Sequence, residues 1–159
     1  MTSKSDFAEE EWASLVQAPF LVGMVISLAD PGGPIEATKE TMGTVKSATQ
    51  PTTREQLLTD VALDVQQMVQ AHTHPLKGYR PGATGDPRDE VLERLRAVRQ
   101  LVLAKATPEE AAAFGSWLVE VGQTAAEAAK EGGFMGIGAT RVSDREQAML
   151  DRVREIVTA

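Results

Sequence analysis

The chain has 159 residues, no cysteine, and 23 acidic against 16 basic side chains, for a net charge of −7. The missing cysteine excludes disulfides, thiolate metal sites and a cysteine nucleophile. The acidity argues against a nucleic-acid partner, which needs a basic face, and two Trp, one Tyr and four Phe are too few for a base-stacking platform.

A chain of this length buries about 70% of its unfolded surface, so a single unit over residues 1–159 needs no cofactor to fold. Residues 1–5 read as a frayed tail. The opening Met1-Thr2-Ser3-Lys4-Ser5-Asp6 carries no apolar leader, and a cytoplasmic location is expected. Asp6-Phe7-Ala8-Glu9 suits a helix cap, and Glu9, Glu10 and Glu11 suit a first helical turn. Trp12, Leu15 and Val16 form an apolar stripe. Pro19 is expected to kink this helix or divide it. Ala18 to Ala29 is almost wholly apolar but only twelve residues long, short of the roughly 18 to 20 that span a bilayer. It reads as a central core helix without a membrane span. Gly23 and Ser27, four apart, would admit a second helix closely.

Asp30-Pro31-Gly32-Gly33-Pro34 stops and restarts the chain, and Ile35–Thr49 follows as a helix weak in large apolar residues. Thr52-Thr53-Arg54-Glu55 reads as the cap of a helix running to about Ala71. Leu57, Leu58, Val61, Val65, Met68 and Val69 share its apolar face. Residues 72–86 form a long loop with Tyr79, prolines and glycines. Asp86-Pro87 opens a helix to Ala106, with Val91, Leu92, Leu95, Val98 and Val102 inward. Thr107-Pro108-Glu109-Glu110 is the cleanest start signal. Its helix buries Phe114, Trp117, Leu118, Val121 and Ala125 and ends near Lys130. Gly132-Gly133 marks a helix end, and Ser143-Asp144-Arg145-Glu146 a capping box for a helix to Val157. No stretch alternates with period two, so the fold class is all-α, a compact bundle of about six helices.

Val22-Gly23 before Gly32-Gly33 is echoed by Val121-Gly122 before Gly132-Gly133, at an offset of about 100 residues. The echo fits two pseudo-repeated helix–loop–helix halves, or simply two glycine helix caps. The segment Ile26-Ser27-Leu28-Ala29-Asp30-Pro31-Gly32-Gly33-Pro34-Ile35-Glu36-Ala37-Thr38-Lys39-Glu40 resembles the Ala-Asp-Gly loop and glutamate-bearing helix of tellurite-resistance TerB-like proteins. Arg141-Val142-Ser143-Asp144-Arg145-Glu146 is similar in form to that family's second repeat. In this chain Pro31 separates the aspartate from the glycine. The resemblance implies a compact helical domain linked to divalent-metal binding and bacterial stress responses. It matches Asp30, Glu36 and Glu40 to the family's acidic positions, and Glu36 and Glu40, four apart, share one helical face. Hard divalent cations favour clustered carboxylates.

Other chemistry is thinly marked. His72-Thr73-His74 is the whole histidine complement and reads as a solvated turn more readily than a metal ligand pair. Gly-x-Ser-x-Gly is absent, and the spacing of Gly132, Gly133, Gly136 and Gly138 is not that of a phosphate loop. Lys77, Arg80, Arg88, Arg94, Arg96 and Arg99 alternate with Asp89, Glu90 and Glu93, as on a solvated, ion-paired helix. Phe134, Met135 and Ile137 alternate with glycines in a loop and are candidate interaction residues. The favoured reading is a non-catalytic interaction protein, acting by self-association or on a protein partner. A TerB-like divalent-metal binder comes second, and a small helical hydrolase or ligand-pocket protein third.

Overall fold

The computed structural model describes residues 1–31, 34–130 and 142–159, with the side chains of 34–40, 129 and 130 left aside. Among these residues it shows an all-α bundle of six helices: α1 Glu9–Ala29, α2 Pro34–Thr49, α3 Gln56–Gln70, α4 Pro87–Lys105, α5 Pro108–Lys130 and α6 Asp144–Val157. A short 3-10 helix, η1 Lys4–Asp6, precedes them. The expected helix order therefore stands. The Gly132-Gly133 half of the internal echo lies outside the described residues, as does Gly32-Gly33.

α1 is the axis of the molecule and touches each of the other five helices. Leu15, Ala18, Val22, Val25 and Ile26 are wholly buried in it, which places the apolar run where a helix apolar all round belongs. Its 21 residues are long and apolar enough to cross a membrane by length and composition, and 67% of its most apolar window is buried inside the protein. Of the two outcomes expected at Pro19, division does not occur: one helix runs through from Glu9 to Ala29 with Pro19 inside. A mid-helix proline costs about 3 kcal/mol, but each large side chain buried on either side of it returns about 1.5–3 kcal/mol. Continuity wins because Trp12, Leu15 and Val16 before Pro19, and Phe20, Leu21 and Val22 after it, are all buried.

Three helix starts follow the expected capping chemistry. Asp86 accepts from the Arg88 N–H at 2.9 Å, with Pro87 in the first turn. Thr107 and Glu110 exchange hydrogen bonds at 3.0 and 3.2 Å, and Ser143 and Glu146 do so at 3.3 and 3.2 Å. Two starts differ. Asp6 caps η1 by accepting from the Ser3 N–H at 2.8 Å, while α1 begins after Ala8, whose N–H donates to Glu11 at 2.8 Å. α3 begins only at Gln56, with no side-chain cap, because the Thr52 hydroxyl is taken by Glu120 of α5 at 3.0 and 3.1 Å.

Residues 1–5 are not a frayed tail. Thr2 is 5% exposed, and its N–H and hydroxyl donate to the two oxygens of Glu110 at 2.7 and 2.5 Å. Glu110 was legible as a cap for α5; its second use, 108 residues away in sequence, was not.

Close helix packing rests on glycine at several contacts. A Cβ on Gly43 would lie 2.8 Å from the Ala128 Cβ, so α2 and α5 meet there with only the Ala128 methyl between their backbones. A Cβ on Gly115 would strike the Val157 carbonyl oxygen, which fixes α6 against α5. Gly23 likewise faces Thr44 of α2 closely, as its spacing with Ser27 suggested.

Candidate functional site

Among the described residues, a groove of about 620 Å³ lies between η1, α1 and α3. Helical spacing builds its walls. Glu9, Trp12, Ala13, Val16 and Gln17 come from α1, and Asp64, Gln67 and Met68 from α3, with Ala71 at its C-terminal cap. Both sets follow the i, i+3, i+4, i+7 rule of one helical face. Lys4 and Phe7 close one end, and Thr73 and Pro75 the other. Trp12 meets Asp64 at the first end, donating its Nε1–H to Oδ2 at 2.7 Å. Gln17 meets the Pro75 carbonyl at the second end at 3.3 Å. The Phe7 and Trp12 rings lie 5.6 Å apart, tilted by 51°.

Asp64 is the charged centre of this groove. Its Oδ2 also accepts from Lys4 Nζ at 2.6 Å, and that ammonium sits 5.8 Å from the Trp12 ring centre. Burial pushes the Asp64 carboxyl up, but the hydrogen bonds from Lys4 and Trp12 outweigh it and hold the group below its ordinary value. The carboxylate is therefore ionised at neutral pH. Lys4 is 59% exposed on its side chain and Asp64 23%, so the pair sits at the rim, where it contributes about 1 kcal/mol or less.

The residues named from sequence are placed as follows. Asp30 is the half-buried residue that ends α1. Glu36 and Glu40 stand one turn apart on α2, but their side chains lie outside the described residues. Among the described residues, which leave those two out, no group of three or more His, Cys, Asp or Glu side chains is placed to share an ion. The acidic trio thus rests on its sequence pattern. Phe134, Met135 and Ile137 lie outside the described residues.

The histidines belong to the end of α3. His72 takes a left-handed conformation, φ 55°, where a helix end usually recruits glycine. Its N–H donates to the Val69 carbonyl at 3.0 Å, and the Thr73 N–H donates to Met68 at 2.8 Å, the paired bonds of a Schellman end. His74 accepts from the Leu76 N–H through Nδ1 at 3.0 Å and sets its ring edge-on to Phe20 at 5.0 Å. These are structural duties in a turn. A left-handed non-glycine residue costs about 1–2 kcal/mol, so His72→Gly should raise stability by up to about 1 kcal/mol despite the added freedom of the unfolded chain. Urea unfolding with unchanged slope and a higher midpoint checks this, and a lower midpoint would show that the imidazole makes a contact worth more than the strain.

The charged residues of α4 are paired as expected of an ion-paired helix, and some reach further. Arg88 pairs with Asp86 at 2.7 Å, Arg96 with Glu93, and Arg152 of α6 with Asp89 at 3.4 Å. Arg94 stacks over Tyr79 at 4.1 Å, and Glu90 accepts from the Gly82 N–H at 2.8 Å, which docks the 72–86 loop onto α4. Arg99 is half-buried and not simply exposed; it donates to the carbonyls of Ala111 and Ala159 at 2.7 and 2.9 Å. On α3, Val69 is 38% exposed and leaves the apolar face assigned to it, while Met68 turns into the groove.

The groove itself was not anticipated. Its α1 wall shares residues with the stripe read as core, and nothing local marks Trp12 and Met68 as lining an opening. Compared with known proteins, the chain matches no family model, and no curated protein or solved structure resembles it significantly.

Proposed function

We propose that this chain is a non-catalytic binding module whose partner-facing surface is the groove between η1, α1 and α3. One observation carries the reading: an open, two-turn groove floored by Phe7, Trp12, Val16 and Met68 and edged by a held carboxylate. Its volume of about 620 Å³ falls in the range of ligand and peptide sites, which combine apolar walls with a few fixed polar groups. The partner in this reading is another protein, because a groove lined at helical spacing along two helices suits an inserted segment. The bacterial stress-related setting implied by the TerB-like resemblance is compatible with such a role and adds no residue to it.

Photo-crosslinking tests the reading. A benzophenone side chain at Ala13, exposed in the groove, should give a discrete adduct with another protein in cells that express the chain. The same group at Asp151, an exposed position on α6, should not. Ala71→Arg, which fills the opposite wall, should abolish the Ala13 adduct while leaving the melting temperature within a few degrees. Adducts of equal pattern from both positions, or none from either, would overturn it.

A further inference from the structure

Resting on that reading, we infer that the groove's occupant is an amphipathic helix with a lysine or arginine at one end, and that Lys4 holds that cation's seat while the groove is empty. Three observations converge. The first is length. The α1 wall from Glu9 to Gln17 and the α3 wall from Asp64 to Ala71 each extend about 10–12 Å at 1.5 Å per residue, which matches two turns of a helix presenting apolar residues at i, i+3, i+4 and i+7.

The second is charge. Glu9 and Asp64 are the acidic lining residues and Lys4 the basic one. Lys4 is spent on Asp64, so the end of the groove near Trp12 keeps a negative excess, on a chain of net charge −7. A second copy of this chain would bring like charge to that end; a basic partner brings the complement, which raises the association rate and fixes the direction of insertion.

The third is the seat itself. The Lys4 ammonium touches a carboxylate at 2.6 Å and lies 5.8 Å from an indole ring, the two surroundings that favour a cation. Both hydrogen bonds to Asp64 fall on Oδ2, and among the described residues Oδ1 accepts none. Lys4 comes from a three-residue turn and is mostly exposed, so an incoming lysine can displace it without unfolding a helix.

The test uses the full chain and two synthetic helical peptides with the same leucine stripe. One carries two lysines at its N-terminal end and the other two glutamates there. Binding is followed through the Trp12 indole N–H resonance. The lysine peptide should bind about tenfold more tightly than the glutamate peptide, and the ratio should shrink in about 0.5 M salt. Asp64→Asn should bring the two peptides to near equality, since asparagine still accepts from Trp12 but carries no charge. Lys4→Ala should tighten the lysine peptide about threefold by removing its competitor, an effect that a purely structural Lys4 would not give. Equal affinities in the parent chain would overturn the cationic occupant and leave the binding-module reading standing. If neither peptide binds while the Ala13 crosslink still forms, the occupant is not a helix of this chemistry. If the crosslink fails as well, the groove reading falls with it.

Discussion

Replacing Trp117 by alanine should destabilise the protein by about 4 kcal/mol, a large share of the roughly 5–15 kcal/mol that holds a domain of this size. The residue is 2% exposed and lies edge-on to Phe114 at 5.6 Å. Its indole also closes a specific gap. Ser47 lies in the last turn of α2, where its carbonyl would look four residues ahead for a partner and find Pro51, which has no N–H. Trp117 Nε1–H donates to that carbonyl at 3.0 Å, and the Thr49 hydroxyl donates to the carbonyls of Val45 and Lys46 at 3.0 and 3.2 Å. The alanine variant thus loses ring burial and leaves the end of α2 without its donor. Trp117→Phe separates the two effects: it keeps most of the apolar area and should cost about 2 kcal/mol. With a urea slope of about 2 kcal/mol/M, the midpoints should fall by about 2 M and 1 M. Equal losses in the two variants would mean that the hydrogen bond, and not the ring, dominates.

That pairing shows where a sequence stops being readable. Pro51 and Trp117 were each interpretable alone, as a helix stop and a core residue. Their partnership needed the packing of α2 on α5, which no local pattern encodes. The helices themselves were legible because their signals are local: Asp86-Pro87, Thr107 with Glu110, and Ser143 with Glu146 satisfy helix ends within four residues. Gly43 and Gly115 show the same limit from the other side. Each looks like a weakness in a helix, and only the neighbouring helix reveals that no side chain fits there. Pro19 does not end its helix because the helix-breaking rule weighs one missing bond, whereas the burial on both sides of it decides. The groove was hidden for a related reason. Trp12 and Val16 have the spacing of core residues and are indeed buried, but the cover over them is thin, and that depends on where α3 and η1 come to rest.

Glu110→Gln should cost about 3 kcal/mol at pH 7, and the loss should shrink as the solution is acidified. Burial pushes the Glu110 carboxyl up, but hydrogen bonds from the Thr2 side chain, the Thr2 N–H and the Thr107 N–H outweigh it and hold the group down at about 2, against an ordinary 4.5. A carboxyl depressed by folding stabilises fully above its unfolded value, and loses that contribution as the pH falls through the folded one. The window is therefore pH 4.5 down to about 2, and a displacement of this size corresponds to about 3 kcal/mol. Glutamine has no charge to lose and turns an amide N–H toward donors that need an acceptor, so its own stability should change less across that window. The parent and variant curves of unfolding free energy against pH should thus converge toward pH 2. Other carboxylates that titrate in the parent remain in the variant and cancel in the difference. Parallel curves would show that Glu110 is not depressed by its partners. The same variant has a second readout, because Thr2 anchors the segment that carries Lys4 and Phe7 to one end of the groove. Amide exchange over residues 2–7 should quicken in Glu110→Gln at neutral pH while that of α4 stays slow. Such a result would tie the buried carboxylate of α5 to the shape of the groove that η1 helps to close.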